Sequence, residues 1–402
     1  MKTMILTKNQ ESGLRVAIHR YKNGERFTII SGYAGTGKST LVKFLVEALS
    51  TCGIDPQKDI CYTAFTGKAC QVLQSKGHQN VSTLHKLLYV HIPLPNGKYL
   101  RKPAGNIPYK IVVVDEISMA PAELMKELFS YPVHIIGLGD PFQLPPINPQ
   151  DNNHLLDTPH VFLDEVMRQA ADSEIITLSM KIRNYEDFKA TDFAGQEVKI
   201  FPREALSTGM LQWADQNICA TNATRIDINN TMREMLGRGD LPETGDKVIC
   251  LRNYWETLSE EGNPLINGSI GYLQNPRSQG IWIPAKISAS GKSFTLNSTI
   301  SDIKLDTDEI FYQVNCDKKL ILTGEKSLDW KTEYKMNRIK DFIDKVPFEF
   351  TYGYAITCHK SQGSQWDKVL VIEEKFPFAK EDHARWLYTA VTRAAKQLVL
   401  IR

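Results

Sequence analysis

Apolar, β-branched runs alternate with amphipathic stretches along the first third of the chain. The runs Phe27–Ser31, Ile60–Ala64, Ile111–Asp115 and His134–Gly139 read as buried strands. Between them, Lys38–Leu49, Lys68–Ser75 and Ala122–Ser130 carry apolar residues at helical spacing. Continuous apolar strands separated by helices predict a parallel sheet covered on both faces. The rhythm returns later, with strands at Asn217–Ala220, Val369–Glu373 and Gln397–Ile401 and helices at Arg225–Leu236 and Ala384–Val391. Two α/β units are therefore expected, with a seam near Pro159–Arg168.

Two stretches break this rhythm. Residues 86–108 contain Asn96-Gly97 between apolar residues, the signal of a short β-hairpin. Residues 252–345 are rich in Asn, Gly, Ser and Thr, with short alternating runs such as Gly280–Ile283 and Ile310–Val314, and read as a β-rich insertion in the second unit.

The strand Phe27–Ile30 leads into Gly32-Tyr33-Ala34-Gly35-Thr36-Gly37-Lys38-Ser39, a complete G-x-x-x-x-G-K-[ST] phosphate-binding loop. Glycines let backbone N–H groups turn toward an anion, and the following helix N-terminus adds partial positive charge. Lys38 then reaches the outer phosphates of a nucleoside triphosphate, and Ser39 offers a hydroxyl to Mg²⁺. Gly35, Thr36 and Gly37 complete the cradle. The strand Ile111–Val114 ends in Asp115-Glu116, which a parallel sheet delivers to the same crevice. Asp115 suits the metal, and Glu116 suits activation of the attacking water. Gln143, in the loop after His134–Gly139, can bond a γ-phosphate or the lytic water.

Composition narrows the partners. The chain has 402 residues, 42% hydrophobic, enough for two or three domains. With 48 basic against 46 acidic residues, any nucleic-acid partner must be held by a local basic groove. Seven scattered cysteines without a C-x-x-C pair argue against a disulfide framework or a zinc site. Cys61 and Cys219 lie in apolar runs and read as buried small hydrophobes. No apolar stretch reaches membrane-spanning length and no signal peptide is visible, so a soluble cytoplasmic protein is expected.

Further motifs stand in a fixed order around these: Thr63-Ala64-Phe65-Thr66-Gly67-Lys68-Ala69, Ser82-Thr83-Leu84-His85, Gly139–Pro146 and Val166-Met167-Arg168-Gln169. The second half adds Ala220-Thr221-Asn222, Tyr354–Gly363 and Leu387–Ala394. Together they resemble the superfamily 1 DNA helicases, in the RecD-like and Pif1-like branch. The resemblance covers residues 10–394. It implies two RecA-like P-loop α/β domains in tandem, the first at 1–85 and 109–163 and the second at 164–251 and 346–402. The 86–108 hairpin would be a strand-separating wedge presenting Lys98, Arg101 and Lys102, and 252–345 a small SH3-like accessory module braced against it. Gln10, expected just before the first helix, would read adenine, while Arg168 and Arg393 would act as arginine fingers on the γ-phosphate. DNA contacts would come from Thr63, Phe65, Lys68, Ser82, Thr83 and His85 on one unit and from Thr357, His359, Lys360 and Gln362 on the other, with Phe65 and Tyr354 available for stacking or for core packing.

The implied activity is ATP- and Mg²⁺-dependent 5′→3′ translocation on single-stranded DNA with unwinding of tailed duplexes, in replication, repair or recombination. A monomer is expected, in the host cytoplasm if the gene is a phage's, and single-strand-binding or replisome proteins are admitted as partners. The alternative is an ATP-dependent remodeller of protein–DNA complexes, or recombination mediator, with little unwinding. A nuclease is disfavoured, because no second carboxylate constellation is visible, and RNA stays open as the track.

Overall fold

The computed structural model describes residues 6–93, 99–146, 149–167, 171–377 and 379–402. The first lobe is built on β1 (Phe27–Gly32), β2 (Ile60–Ala64), β3 (Val81–Thr83), β6 (Ile111–Val114), β7 (His134–Gly139) and β8 (Val161–Leu163). These pair in parallel in the order β3-β2-β6-β7-β1-β8. β6 and β7 are buried along their whole length, as strands covered on both faces must be. Helices α1 (Lys8–Lys22), α2 (Lys38–Ser50) and α3 (Gly67–Ser75) pack into one core, and α4 (Leu84–Leu88) and α5 (Ala122–Leu128) into the other. α2 buries Leu41, Val42, Leu45, Val46 and Leu49, the single face its spacing predicts.

Thr7–Gln10, expected just ahead of the first helix, instead form the capping box and first turn of α1. A hairpin pairs β4 (Tyr89–Pro93) with β5 (Tyr99–Pro103); its turn, Lys98 included, lies outside the described residues.

The second lobe carries β9 (Val198–Phe201), β10 (Gln216–Cys219), β18 (Ala355–Thr357), β19 (Trp366–Ile372) and β20 (Ala394–Ile401). They pair in parallel as β18-β10-β19-β20-β9. Helices α6 (Glu174–Arg183), α7 (Thr208–Trp213), α8 (Asn222–Met235), α12 (Cys358–Ser361) and α13 (Lys380–Val391) flank it. The α8 N-terminus is closed by Glu374, whose carboxylate accepts from the Ala220 and Thr221 amides (2.6 and 3.0 Å) and from the Thr221 and Thr224 hydroxyls (2.9 and 2.6 Å). Burial opposes its charge, but these four bonds outweigh it and hold the carboxyl below its usual range.

An antiparallel accessory sheet runs β16 (Ile310–Asp317), β15 (Phe294–Leu305), β14 (Ile270–Ile283), β11 (Lys247–Cys250), β17 (Phe350–Tyr352). A lone bridge from Cys316 to Phe348 draws its two edges together. β12 (Tyr254–Leu258) and β13 (Pro264–Leu265) form a separate pair, while α9 (Lys318–Thr323), α10 (Trp330–Met336) and α11 (Lys340–Ile343) complete the insertion. The antiparallel sheet extends past 252–345 at both ends. The residues of β11 and β17 fall within the expected second RecA-like domain, and Val248 pairs antiparallel with both Tyr352 and Gly271. Short apolar runs of this kind look alike in parallel and antiparallel sheets, so pattern does not separate them.

A buried ion pair fixes α8 to the root of this sheet. Asp246, fully buried, accepts from Arg233 Nε and Nη2 (both 3.2 Å), the Tyr354 hydroxyl (2.9 Å) and the Glu243 amide (2.7 Å). Tyr354 is thereby committed to the core and is no base-stacking group. Replacing Asp246 with Ala strands the Arg233 guanidinium in the interior, an expected cost of about 3–5 kcal/mol. Denaturant unfolding checks this, and removing the exposed partner Lys396 of Asp367 serves as the silent control.

Candidate active site and nucleic-acid track

A cavity of about 280 Å³ is lined by residues of both lobes. The first lobe contributes Gly35, Lys38, Ser39, Asp115, Glu116 and Gln143, and the second contributes Thr392 and Arg393. Sequence positions more than 350 apart are thus brought onto one wall-to-wall site. Arg168 lies outside the described residues.

The loop is built as its glycines predict. Gly35 and Gly37 take φ of 76° and 78°, which an L side chain resists. The Lys38 ammonium donates to Gly32 O (2.7 Å) and Tyr33 O (3.0 Å), folded onto its own loop. Gln10 is 1% exposed, and its amide nitrogen donates to Thr36 O at 3.1 Å while its oxygen accepts from the Thr7 amide at 3.0 Å. Its place is therefore beneath the phosphate loop, although the local sequence reads as an exposed polar residue. Thr36 and Gly37 form the floor that Gln10 supports and do not themselves line the cavity.

Asp115 and Glu116 end β6 side by side. Burial, then the neighbouring Glu116, pushes the Asp115 carboxyl above its usual range, while Lys76 and Lys38 draw it back. Lys76, a cavity residue with no motif to mark it, was missed by sequence reasoning. Glu116 adopts φ 49°, ψ 48°, a left-handed conformation rare outside glycine. Such strain collects at functional positions because the surrounding fold enforces it. Gln143 Oε1 is buried with no hydrogen-bond partner among the described residues, an acceptor held toward the cavity. Arg393 is 5% exposed and donates to Thr389 O (3.0 Å) and Ser364 O (3.3 Å). The donor set fits a nucleoside triphosphate with Mg²⁺: hard oxygens from Ser39 and Asp115 for the metal, cations from both lobes for the phosphates.

A second cavity, about 300 Å³, lies between the first lobe and the accessory sheet. Phe65, Ser82, Thr83 and His85 line one side; Glu261, Asp306, Asp308 and Glu309 line the other. The expected basic groove is not what forms here: among the described side chains, Lys86 and His85 face four carboxylic acids. Lys86 is held by Glu261 O at 3.0 Å, which joins the first lobe to the accessory insertion.

Several expected DNA contacts are otherwise engaged. Thr63 is fully buried, its hydroxyl donating to Val113 O at 3.0 Å inside the sheet. Thr83 caps α4 through the Lys86 amide at 3.2 Å. Gln362 donates to Leu144 O at 2.5 Å, bridging the lobes. Lys360 donates to Asn267 of the accessory module, and burial pushes its ammonium down. His359 is likewise lowered, by burial and then by Lys360. Thr357 ends β18 immediately before α12, Phe65 meets the His85 ring edge-on at 5.5 Å, and Lys68 stands in the first turn of α3.

Residues 6–200 match the family described as AAA domain, and residues 352–401 the UvrD-like helicase C-terminal domain. The chain is 30% identical to the ATP-dependent DNA helicase dda of Enterobacteria phage T4, over 96% of this chain and 97% of that protein. The chain belongs to the superfamily 1 DNA helicases, in their RecD-like and Pif1-like branch. It is 26% identical to the ATP-dependent RecD2 DNA helicase of Deinococcus radiodurans over 92% of its own length, but spans only 46% of that protein. The crystal structure of Pif1 helicase from Bacteroides in complex with ADP-AlF3 and ssDNA shares the fold of this helicase, with a TM-score of 0.51 at 19% identity over 99% of this chain and 92% of that one. Two RecA-like α/β domains are thereby established. Among the described residues no helix is long and apolar enough to cross a membrane, no three metal-binding groups cluster, and the seven cysteines are all free, Cys61 and Cys219 buried.

Lys38→Ala removes the one cation of the phosphate loop. ATPase turnover is expected to fall by about 10²–10³-fold or more, the range for losing a preorganised electrostatic donor. A phosphate-release assay, with circular dichroism to confirm folding, checks it.

Proposed function

We propose that ATP hydrolysis between the two lobes drives this helicase 5′→3′ along one DNA strand and so parts the duplex ahead of it. The observation that carries this reading is the shared cavity, in which Lys38, Asp115, Glu116 and Gln143 of one lobe meet Arg393 of the other. A site completed only by both lobes makes their approach sensitive to what occupies it.

In this reading Lys38 leaves the carbonyls of Gly32 and Tyr33 for the outer phosphates, which the loop amides also bind. Ser39 and Asp115 would hold Mg²⁺, whose charge would offset that of the phosphates. Glu116 accepts the proton of the attacking water, and Gln143 uses its free oxygen to orient that water. Arg393 turns from Thr389 O and Ser364 O toward the γ-phosphate, joined by Arg168. Gln10 braces the loop from below, and to read adenine its amide leaves Thr36 O and the Thr7 amide for the base edge.

The strand would run through the second cavity and over α12. Its phosphates belong on the first-lobe side, with Ser82, Thr83, His85 and Lys68, because the opposite wall is acidic. Thr357, His359 and Lys360 continue the track on the second lobe. The β4–β5 hairpin, with Arg101 stacked on Tyr89 at 4.4 Å, is the wedge. β5 touches β12 of the accessory module, which we read as SH3-like and as the wedge's brace.

On duplexes with one single-stranded tail, displacement is expected from the 5′ tail alone, with ATPase stimulated by single-stranded DNA. Stimulation without displacement favours the remodeller of protein–DNA complexes, and stimulation by RNA alone moves the track to RNA. Glu116→Gln is expected to keep ATP binding while turnover falls about 10²–10⁴-fold. Normal hydrolysis by that variant would remove Glu116 from the mechanism.

A further inference from the structure

One side chain of the second lobe reaches into the phosphate loop itself. Tyr388, on α13, is 1% exposed. Its hydroxyl accepts from the Ala34 amide at 2.8 Å and donates to Asp140 Oδ2 at 2.5 Å. Its ring meets Phe142 edge-on, with centroids 5.1 Å apart. Asp140 Oδ1 accepts from the Phe142 amide at 2.9 Å, which shapes the loop that carries Gln143. The next residue of α13, Thr389, takes the Leu144 amide at 2.9 Å, at the far end of that loop. A single oxygen thus joins the phosphate loop, the Gln143 loop and the helix that runs on to Arg393.

A phenyl ring would fill this space equally well. A buried hydroxyl between an amide and a carboxylate is costly unless both bonds are made, and its loss takes a partner from the buried Asp140 carboxylate and from the half-buried Ala34 amide. Tyr388 itself does not line the nucleotide cavity, so its effect must pass through Ala34 and Asp140, which do.

We propose that Tyr388 is a positioning residue for hydrolysis: its hydroxyl holds the Gln143 loop and the phosphate loop in register with Arg393, setting turnover rather than nucleotide or strand affinity. This rests on the ATP-hydrolysing reading of the same cavity. Aligned groups act together in the transition state, while the loop amides and Lys38 bind phosphate whether or not Gln143 is aligned.

Tyr388→Phe keeps the ring and removes the two bonds. The DNA-stimulated kcat is expected to fall about tenfold or more, the scale of losing a hydrogen bond to a charged group. KM for ATP, Kd for a fluorescent ATP analogue and Kd for a single-stranded oligonucleotide should each stay within about twofold. Asp140→Asn, which keeps an oxygen for the Tyr388 hydroxyl, should lose less. Asp140→Leu, which also takes the acceptor from the Phe142 amide, should lose at least as much as Tyr388→Phe, and the double variant should lose clearly less than the sum of the two. Wild-type kcat in Tyr388→Phe, additive losses in the double variant, or a kcat loss tracking equal losses in Tm and ATP affinity would each overturn the proposal. Absence of ATPase in the unsubstituted protein would instead overturn the reading of the site.

Discussion

The second lobe places four hydrogen bonds on the loop Asp140–Leu144. Tyr388 bonds Asp140, Arg385 bonds Pro141 O at 2.9 Å, Thr389 takes the Leu144 amide, and Gln362 bonds Leu144 O. Leu144 itself is buried in the core of the second lobe, among Trp366, Leu387 and Val391. A loop of one domain is therefore packed as part of the other. Any change in how the lobes approach must move Gln143 relative to Lys38, and any change at Gln143 is felt along α13. The chemistry and the motion share one set of contacts.

The accessory sheet is tied into the same system at its base. Lys360 of α12 holds Asn267, Arg233 of α8 holds Asp246, and Lys247 donates to Gln216 Oε1 of β10 at 2.9 Å. The central second-lobe strands and the accessory strands share one apolar core, with Ile372 and Ile401 packed together with Phe311 and Phe350. The insertion is thus an extension of the second lobe in packing, although its strands run antiparallel. Its face toward the first lobe is acidic, with Glu261, Asp306, Asp308 and Glu309 across the cavity from Ser82, Thr83 and His85.

Local patterning located the parallel strands where they are long and continuously apolar. It gave α1 no bounds of its own, although Leu14, Ala17, Ile18 and Tyr21 stand at helical spacing and pack against the first-lobe core, because the helix's remaining buried positions are Gln10 and Gly13. The short strands β3, β8 and β9 escaped for the reason that three or four residues give no period to read. Among site residues, Lys38, Ser39, Asp115 and Glu116 were legible because each sits at a fixed step from a strand end. Lys76 and Asp140 were not, since their role depends on partners far off in sequence.

The sequence by itself determined the phosphate loop, the paired carboxylates after β6 and the order of motifs that places the chain among the superfamily 1 helicases. Those are local facts: a few adjacent residues with a required backbone geometry. Tertiary structure alone decided that Thr63, Gln362 and Tyr354 spend their polar groups inside the protein, and that Gln10 lies beneath the loop. It also decided that Tyr388 meets Ala34, 354 residues away, at 2.8 Å. A hydroxyl, an amide or a carboxylate has the same formula wherever it stands. What it does is set by which group the fold brings within hydrogen-bonding distance, and by whether water is left to compete.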